Sequence, residues 1–213
     1  MKLTGLHLLL SYQCTFECDH CFVFGSPNQS GTMTLGVVRR ILQEAKEAGT
    51  VTSIYFEGGE PFLYYPVMVR GAIEARAMGF SVGIVSNAYW AEDVESAREW
   101  LSPLAGLVDD LTVSSDLFHY SEKLSRQAQN AAAAAAELGI PVGTISIARP
   151  DEQAQAGQGQ IAEGESGVMY RGRAADKLAA KAPHHPWTTF TSCPHEALRE
   201  PGRVHVDAYG NLH

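Results

Sequence analysis

Residues 6–21 read LHLLLSYQCTFECDHC, and the rest of the chain is best understood outward from them. Leu6 to Leu10 is an apolar run of strand length. It leads into Cys14, Cys18 and Cys21, spaced C-x3-C-x2-C on a segment that reads as a loop. Three thiolates this close can each bind one iron of a [4Fe–4S] cube, and the fourth iron then has no ligand from the motif. An open iron can chelate a small molecule and pass it an electron. Zinc fits less well, because it usually wants four ligands and the nearest candidate, His20, lies between Cys18 and Cys21 where ring and thiolates converge poorly. A disulfide would strand one of the three cysteines, and nothing in the chain looks secretory.

Beyond this stretch, strand and helix signals alternate. Apolar, β-branched runs recur at 51–56, 80–86, 108–114 and 140–147. Helical patterns fill the intervals at 35–48, 66–78, 91–104 and 120–138, the first capped by Thr34 and ended by Gly49. Residues 149–167 are rich in Gln, Gly and Glu and read as a loop, with a short sixth strand expected at 167–170 and a short helix at 175–181. Repeated β-α units predict an α/β fold with parallel strands and right-handed crossovers. Five clear units are too few for a closed eight-stranded barrel, and pattern alone also allows a doubly wound open sheet. In either architecture ligands gather at the carboxyl ends of the strands. The conspicuous motifs lie there: the cysteines after the first strand, Gly58-Gly59-Glu60-Pro61 after the second, Ser86-Asn87 after the third, and Ser114-Ser115-Asp116 after the fourth.

The cysteine spacing, together with GGEP after the second strand, resembles the radical S-adenosylmethionine (SAM) enzymes. That resemblance implies a partial (β/α)6 barrel over residues 1–182. It implies a [4Fe–4S] cluster on Cys14, Cys18 and Cys21, with its open iron holding the amino and carboxylate groups of SAM. It assigns Gly58, Gly59 and Glu60 to the methionine end of SAM. Ser86 and Asn87 stand where family members often have Thr-Asn-Gly, with Ala88 in place of the glycine. In the peptide- and protein-modifying branch, a serine and an arginine placed like Ser114 and Arg126, near Asp116, face the SAM ribose and carboxylate. His20 sits where an aromatic or histidine packs near the adenine. The family's Gly-x-Ile-x-Gly-x-x-Glu pattern is not found near Ile145.

Taken singly, each of these residues has a plainer reading. Paired glycines after a strand usually make a turn. Ser114 and Asp116 would serve as caps, Arg126 as a surface cation, and His20 as a satisfied polar residue. Tyr12, Phe16, Phe22 and Phe24 around the cysteine loop read as packing that keeps water off a cluster. No side chain stands out as a general acid or base.

Residues 183–213 form a short C-terminal extension. Cys193, followed by RVHVDAYGNLH, resembles the opening of a SPASM or twitch auxiliary-cluster region, in which a second cysteine follows a strand–turn–strand. A lone cysteine is otherwise an inert small hydrophobe. The extension, preceded by the Arg171–Ala174 run, points to a peptide or protein substrate, with a reductant such as ferredoxin or flavodoxin. The expected activity is reductive SAM cleavage and hydrogen-atom abstraction. The alternatives are a glycyl-radical-enzyme activase and a non-catalytic iron–sulfur electron-transfer protein.

Composition narrows the field further. The formal net charge of −8, without a basic run, argues against a nucleic-acid partner. No apolar stretch approaches the roughly 20 residues that span a bilayer, so no membrane partner is expected. The first residues lack a cleavage-site pattern, and four cysteines, three of them clustered, suit a reducing cytoplasm.

Overall fold

In a computed structural model, residues 2–150, 165–182, 184, 186–189 and 202–213 are described. Cys193 and the 151–164 segment lie outside them. The first strand, β1 (Gly5–Leu9), is followed by α1 (Leu35–Ala48), β2 (Ser53–Glu57), α2 (Tyr65–Ala77) and β3 (Ser81–Ser86). Then come α3 (Val94–Leu101), β4 (Asp110–Ser114), α4 (Arg126–Glu137), β5 (Val142–Ile147), β6 (Glu165–Ser166), α5 (Arg173–Leu178) and β7 (Arg203–Val206). The strands form one seven-stranded sheet in the order β6-β5-β4-β3-β2-β1-β7, with every named pair parallel. No helix among the described residues is long and apolar enough to cross a membrane.

Strand periodicity sorts the sheet into two faces. Leu6, Leu8, Ile54, Phe56, Val82, Ile84, Leu111 and Val113 belong to the apolar core with the helices. Val38 and Leu42 of α1, Met68 and Ala72 of α2, and Leu101 of α3 complete it. The alanine-rich α4 buries Ala128, Ala131, Ala134 and Ala135, and their small side chains let it pack closely. Residues of the opposite parity, His7, Tyr55, Glu57, Val85, Asp110, Thr112, Ser114, Ile145 and Ile147, line a cavity of about 850 Å³ on the other face.

Helix ends follow their sequence signals. Thr34 accepts from Val37 N at the start of α1, and Gly49 closes it at φ 69°. Two elements differ most from expectation. The helix expected from residue 120 starts at Arg126, because Ser125 caps it and Ser115 Oγ accepts from Ser125 N at 2.8 Å, tying 116–125 into a loop. The sixth strand is Glu165–Ser166 rather than 167–170; it pairs with Ser146–Ile147.

β7 joins the sheet directly, with Gly5↔Arg203 through Leu8↔Val206 in parallel register against β1. Beyond it Asp207, 2% exposed, accepts from the backbone N–H of Tyr209 and Asn211 and from the Tyr12 hydroxyl. The chain then turns back so that His213 and His205 exchange backbone hydrogen bonds. The tail thus carries one strand, an edge of the main sheet, and a turn after which Leu212 returns as an isolated antiparallel bridge to Val206 in place of a second strand.

Candidate functional site

The cysteine loop begins where β1 ends. Its backbone is paired by neighbours instead of by secondary structure of its own. Leu10 N donates to Glu57 O, Gly59 N to Ser11 O and Glu60 N to Gln13 O, so Gly58–Glu60 runs as a strap along Ser11–Gln13. This close approach explains the paired glycines. Gly58 sits at φ 135° and a Cβ there would lie 2.6 Å from Ser11 O; a Cβ on Gly59 would overlap Gln13 O.

Cys14 and Cys18 are buried, Cys21 is half-buried, and all three are free thiols. N–H groups point at two of the sulfurs: Phe16 N and Asn87 Nδ2 each at 3.5 Å from Cys14 Sγ, and Gly25 N at 3.2 Å from Cys21 Sγ. Burial pushes the Cys14 thiol up to about 11 and Cys18 higher still, with the other sulfurs adding to the effect. Thiolates here therefore need a cationic partner, and the N–H donors are placed to stabilise them.

Glu60 is fully buried, and its carboxylate faces the protein. Oε1 accepts from Phe62 N and Ser86 Oγ, and Oε2 from Asn87 N. Burial pushes it up to about 7 against the pull of those three donors. Ser86 also accepts from Trp90 Nε1 at 3.0 Å. Asn87 reaches back to the loop, its amide donating to Thr15 Oγ1 at 3.1 Å as well as to Cys14. Ala88, where the resemblance expected glycine, adopts φ 58° and is fully buried.

A second group forms at the end of β4. Asp116 Oδ1 accepts from Phe118 N and His119 N and lies 2.9 Å from His119 Nδ1, while Oδ2 accepts from Ile147 N. Burial would raise this carboxyl, but the His119 hydrogen bond and neighbouring charge hold it below the usual range. His20 lies over Phe118 with ring centroids 4.5 Å apart, and burial lowers its pKa to about 4. Its Nδ1 is buried without a hydrogen-bond partner among the described residues. Ser114 and His20 both line the cavity.

The sequence-derived residues thus divide. The three cysteines, Gly58–Glu60, Ser86 and Asn87 form one hydrogen-bonded unit, and His20 and Asp116 lie beside it. Arg126 does not join them; it is exposed at the first turn of α4 and makes no hydrogen bond or ion pair among the described residues. Of the four aromatics, Phe16 packs edge-on against Tyr120, but Phe24 turns outward and is 43% exposed.

Arg173 was not expected here. Only 6% exposed, it donates from Nη1 to Cys18 O at 2.9 Å and from Nη2 to Gly25 O at 2.8 Å, clamping both sides of the cysteine loop. Gly172 makes this possible, since a Cβ there would overlap the Phe22 backbone. The Arg-Gly-Arg-Ala run was the available signal. Also missed were His7, Glu57 and His205, which meet on the cavity floor. His7 Nδ1 lies 3.1 Å and His205 Nε2 2.9 Å from Glu57 Oε1. Burial would raise Glu57, but these two contacts bring it down to about 2. Their signal was a polar residue inside each of three otherwise apolar or β-branched strands.

Known proteins resemble this chain in both sequence and fold. YydG of Bacillus subtilis (strain 168), named as a peptide biosynthesis protein, is 28% identical over 111 residues, covering 52% of this chain and 35% of that protein. The tungsten-containing aldehyde ferredoxin oxidoreductase cofactor-modifying protein of Pyrococcus furiosus is 30% identical over 128 residues, covering 59% and 32%. The chain thus spans about a third of the length of these relatives. SuiB of Streptococcus suis, solved with S-adenosylmethionine, superposes with a TM-score of 0.63 at 14% identity, over 99% of this chain and 60% of its own. BtrN, solved with AdoMet and 2-DOIA, gives 0.59 at 14% identity, over 99% and 72%. The family model of the Radical SAM superfamily matches residues 8–153, from β1 through the cysteine loop and β5, and the chain belongs to that superfamily.

Proposed function

We propose that this chain is the SAM-cleaving part of a radical SAM enzyme that takes a hydrogen atom from a peptide or protein substrate. The observation that carries this reading is the cysteine loop itself. It holds three free thiols, two of them met by N–H donors, and its backbone is strapped by Gly58–Glu60 and clamped by Arg173. Cys14, Cys18 and Cys21 would hold a [4Fe–4S] cluster with one iron open. When bound, the reduced cluster and SAM together supply a primary carbon radical able to abstract hydrogen.

The protein's share is to bind, orient and exclude water. The Gly58–Glu60 backbone and Ser114 would position SAM. His20 Nδ1, buried and unpartnered, is suited to bond the nucleotide. With burial holding its pKa near 4, that ring is neutral at physiological pH and brings no competing charge. The rings of Phe16, Phe118, His119 and Tyr120 pack together with His20 beside the loop. A peptide substrate is supported by the relationship to YydG, named as a peptide biosynthesis protein, and by the fold shared with SuiB, which is also solved bound to the precursor peptide SuiA. The electron would come from a ferredoxin- or flavodoxin-type donor.

Anaerobic reconstitution tests the reading. About four irons per chain, and 5′-deoxyadenosine released from SAM on dithionite reduction, are the expected results. Replacing all three cysteines by alanine should abolish both. A full cluster in that variant would refute the ligand assignment. Intact SAM and no SAM binding in the wild-type protein would leave a plain electron carrier.

A further inference from the structure

We infer that His7, Glu57 and His205 form a divalent-metal site on the cavity floor, distinct from the cysteine loop and open toward the cavity. The three residues sit on β1, β2 and β7, adjacent strands whose parallel register pairs His7 with both Tyr55 and His205. Their ligand atoms all lie within 4.8 Å of one another, with the two nitrogens at 3.1 and 2.9 Å from Glu57 Oε1. With metal–ligand bonds of about 2.0–2.2 Å, neighbouring ligand atoms stand about 2.9–3.4 Å apart in six- or four-coordinate geometry. Two imidazoles and one carboxylate suit Zn²⁺ or Fe²⁺, and three protein ligands leave room for an exchangeable one.

Charge and packing favour a cation here. The cavity lining carries the carboxylates Glu57 and Asp110 against one guanidinium, Arg203. The His7 ring is fixed by stacking on Tyr55, with centroids 4.6 Å apart and planes at 7°. Tyr55 lies across Gly83, where a Cβ would overlap its ring, and its hydroxyl donates to Asp110 Oδ2 at 3.0 Å. Phe22, next to Cys21, packs against His205 with centroids 5.4 Å apart. Such support holds ligands in place before a metal arrives. The other His–Asp–His group, at Asp116, is less open, because its carboxylate oxygens already accept backbone N–H groups.

The open position faces a cavity that His20, from the cysteine loop, also lines. It would take an oxygen donor, such as a carboxylate, carbonyl or hydroxyl, and so anchor a substrate beneath the loop. That substrate role rests on the proposed function, whereas metal binding does not. The competing arrangement is a metal-free triad in which both imidazoles donate to Glu57.

The test is zinc content after gel filtration, measured on the cluster-loaded chain and on a Cys14→Ser, Cys18→Ser, Cys21→Ser chain that cannot bind zinc at the loop. Each should retain about one zinc, and His205→Ala or Glu57→Gln should weaken zinc affinity at least about 100-fold. X-ray absorption at the zinc edge of the chain with the three loop cysteines replaced should give nitrogen and oxygen neighbours with imidazole scattering, which needs no folded triad variant. Zinc content unchanged by His205→Ala and Glu57→Gln, or no retained zinc, overturns the site and leaves the metal-free triad. Failure of SAM cleavage would not alter these readouts, so the two readings fail separately.

Discussion

Replacing Arg173 by methionine isolates what clamps the cysteine loop. Methionine keeps much of the apolar stem that Arg173 buries and removes only its donors. Two charge-assisted hydrogen bonds disappear, to Cys18 O and Gly25 O, and both carbonyls lose a buried partner. At about 1.5–3 kcal/mol for each bond to a charged group, the loss should be about 3–5 kcal/mol after partial relaxation. The contact with Glu17 at 3.9 Å adds little, since that carboxylate is 62% exposed. For a chain of this size the melting temperature should fall by about 6–20 °C. The assay is urea unfolding of the cluster-free chain, followed by iron retention after reconstitution. Arg173→Lys should recover part of the loss, because an ammonium can serve one carbonyl but lacks the fork that spans two. A Met variant within about 1 kcal/mol of wild type, with unchanged m-value and full iron, would refute the clamp.

Further outcomes are expected. Glu60 has a folded pKa raised from 4.5 to about 7, so the folded state holds a proton that the unfolded state loses earlier. Stability from this group is complete below pH 4.5 and declines as pH rises toward 7; Glu60→Gln should flatten that decline in urea titrations, and identical profiles would sink the assignment. Ser125→Ala removes the α4 cap and the partner of Ser115, and should cost about 1–2 kcal/mol in the same assay; a loss below 0.5 would exclude a capping role. Arg126→Ala should weaken SAM binding to the cluster-loaded chain by about 1.5–3 kcal/mol in calorimetry. A cation at the start of α4 opposes the helix dipole, an arrangement that an anionic ligand would offset; unchanged affinity returns Arg126 to the surface.

What could be read in advance was whatever local chemistry determines. The cysteines and GGEP announce themselves by spacing, and α1 carries its own start and stop in Thr34 and Gly49. The start of α4 was misplaced because 120–125 has nothing helix-breaking in it. What ends the loop is Ser115, ten residues before its partner Ser125, and that pairing exists only once β4 is built. The Arg-Gly-Arg-Ala run marks the segment, but the clamp made by Arg173 is not legible in it, because its acceptors are backbone carbonyls, which leave no trace in sequence. The triad of His7, Glu57 and His205 needed the strand order, since β7 follows β2 by well over a hundred residues yet lies beside β1. Glu60 was expected near a ligand because of its motif. Its carboxylate joins the strap to Ser86 and Asn87, so within the protein the glutamate does a structural job.

These long-range contacts carry one consequence for how the site works. A loop of this kind has to satisfy its buried polar groups through segments distant in sequence. Ser11 and Gln13 are paired by Gly59 and Glu60, Cys14 N by Ser26 O, Cys18 O and Gly25 O by Arg173, and Cys21 O by Ala174 N. Tyr12 is held by Asp207, and Asn87 spans from β3 to Thr15 and Cys14. The loop's buried polar groups are therefore satisfied jointly by the strap, the 172–174 turn and the residue that follows β7. The strand edge at β7 also lines the cavity, through Arg203 and His205. Because these contacts join the cysteine loop to segments more than 150 positions away, a cluster bound there would stabilise those segments too.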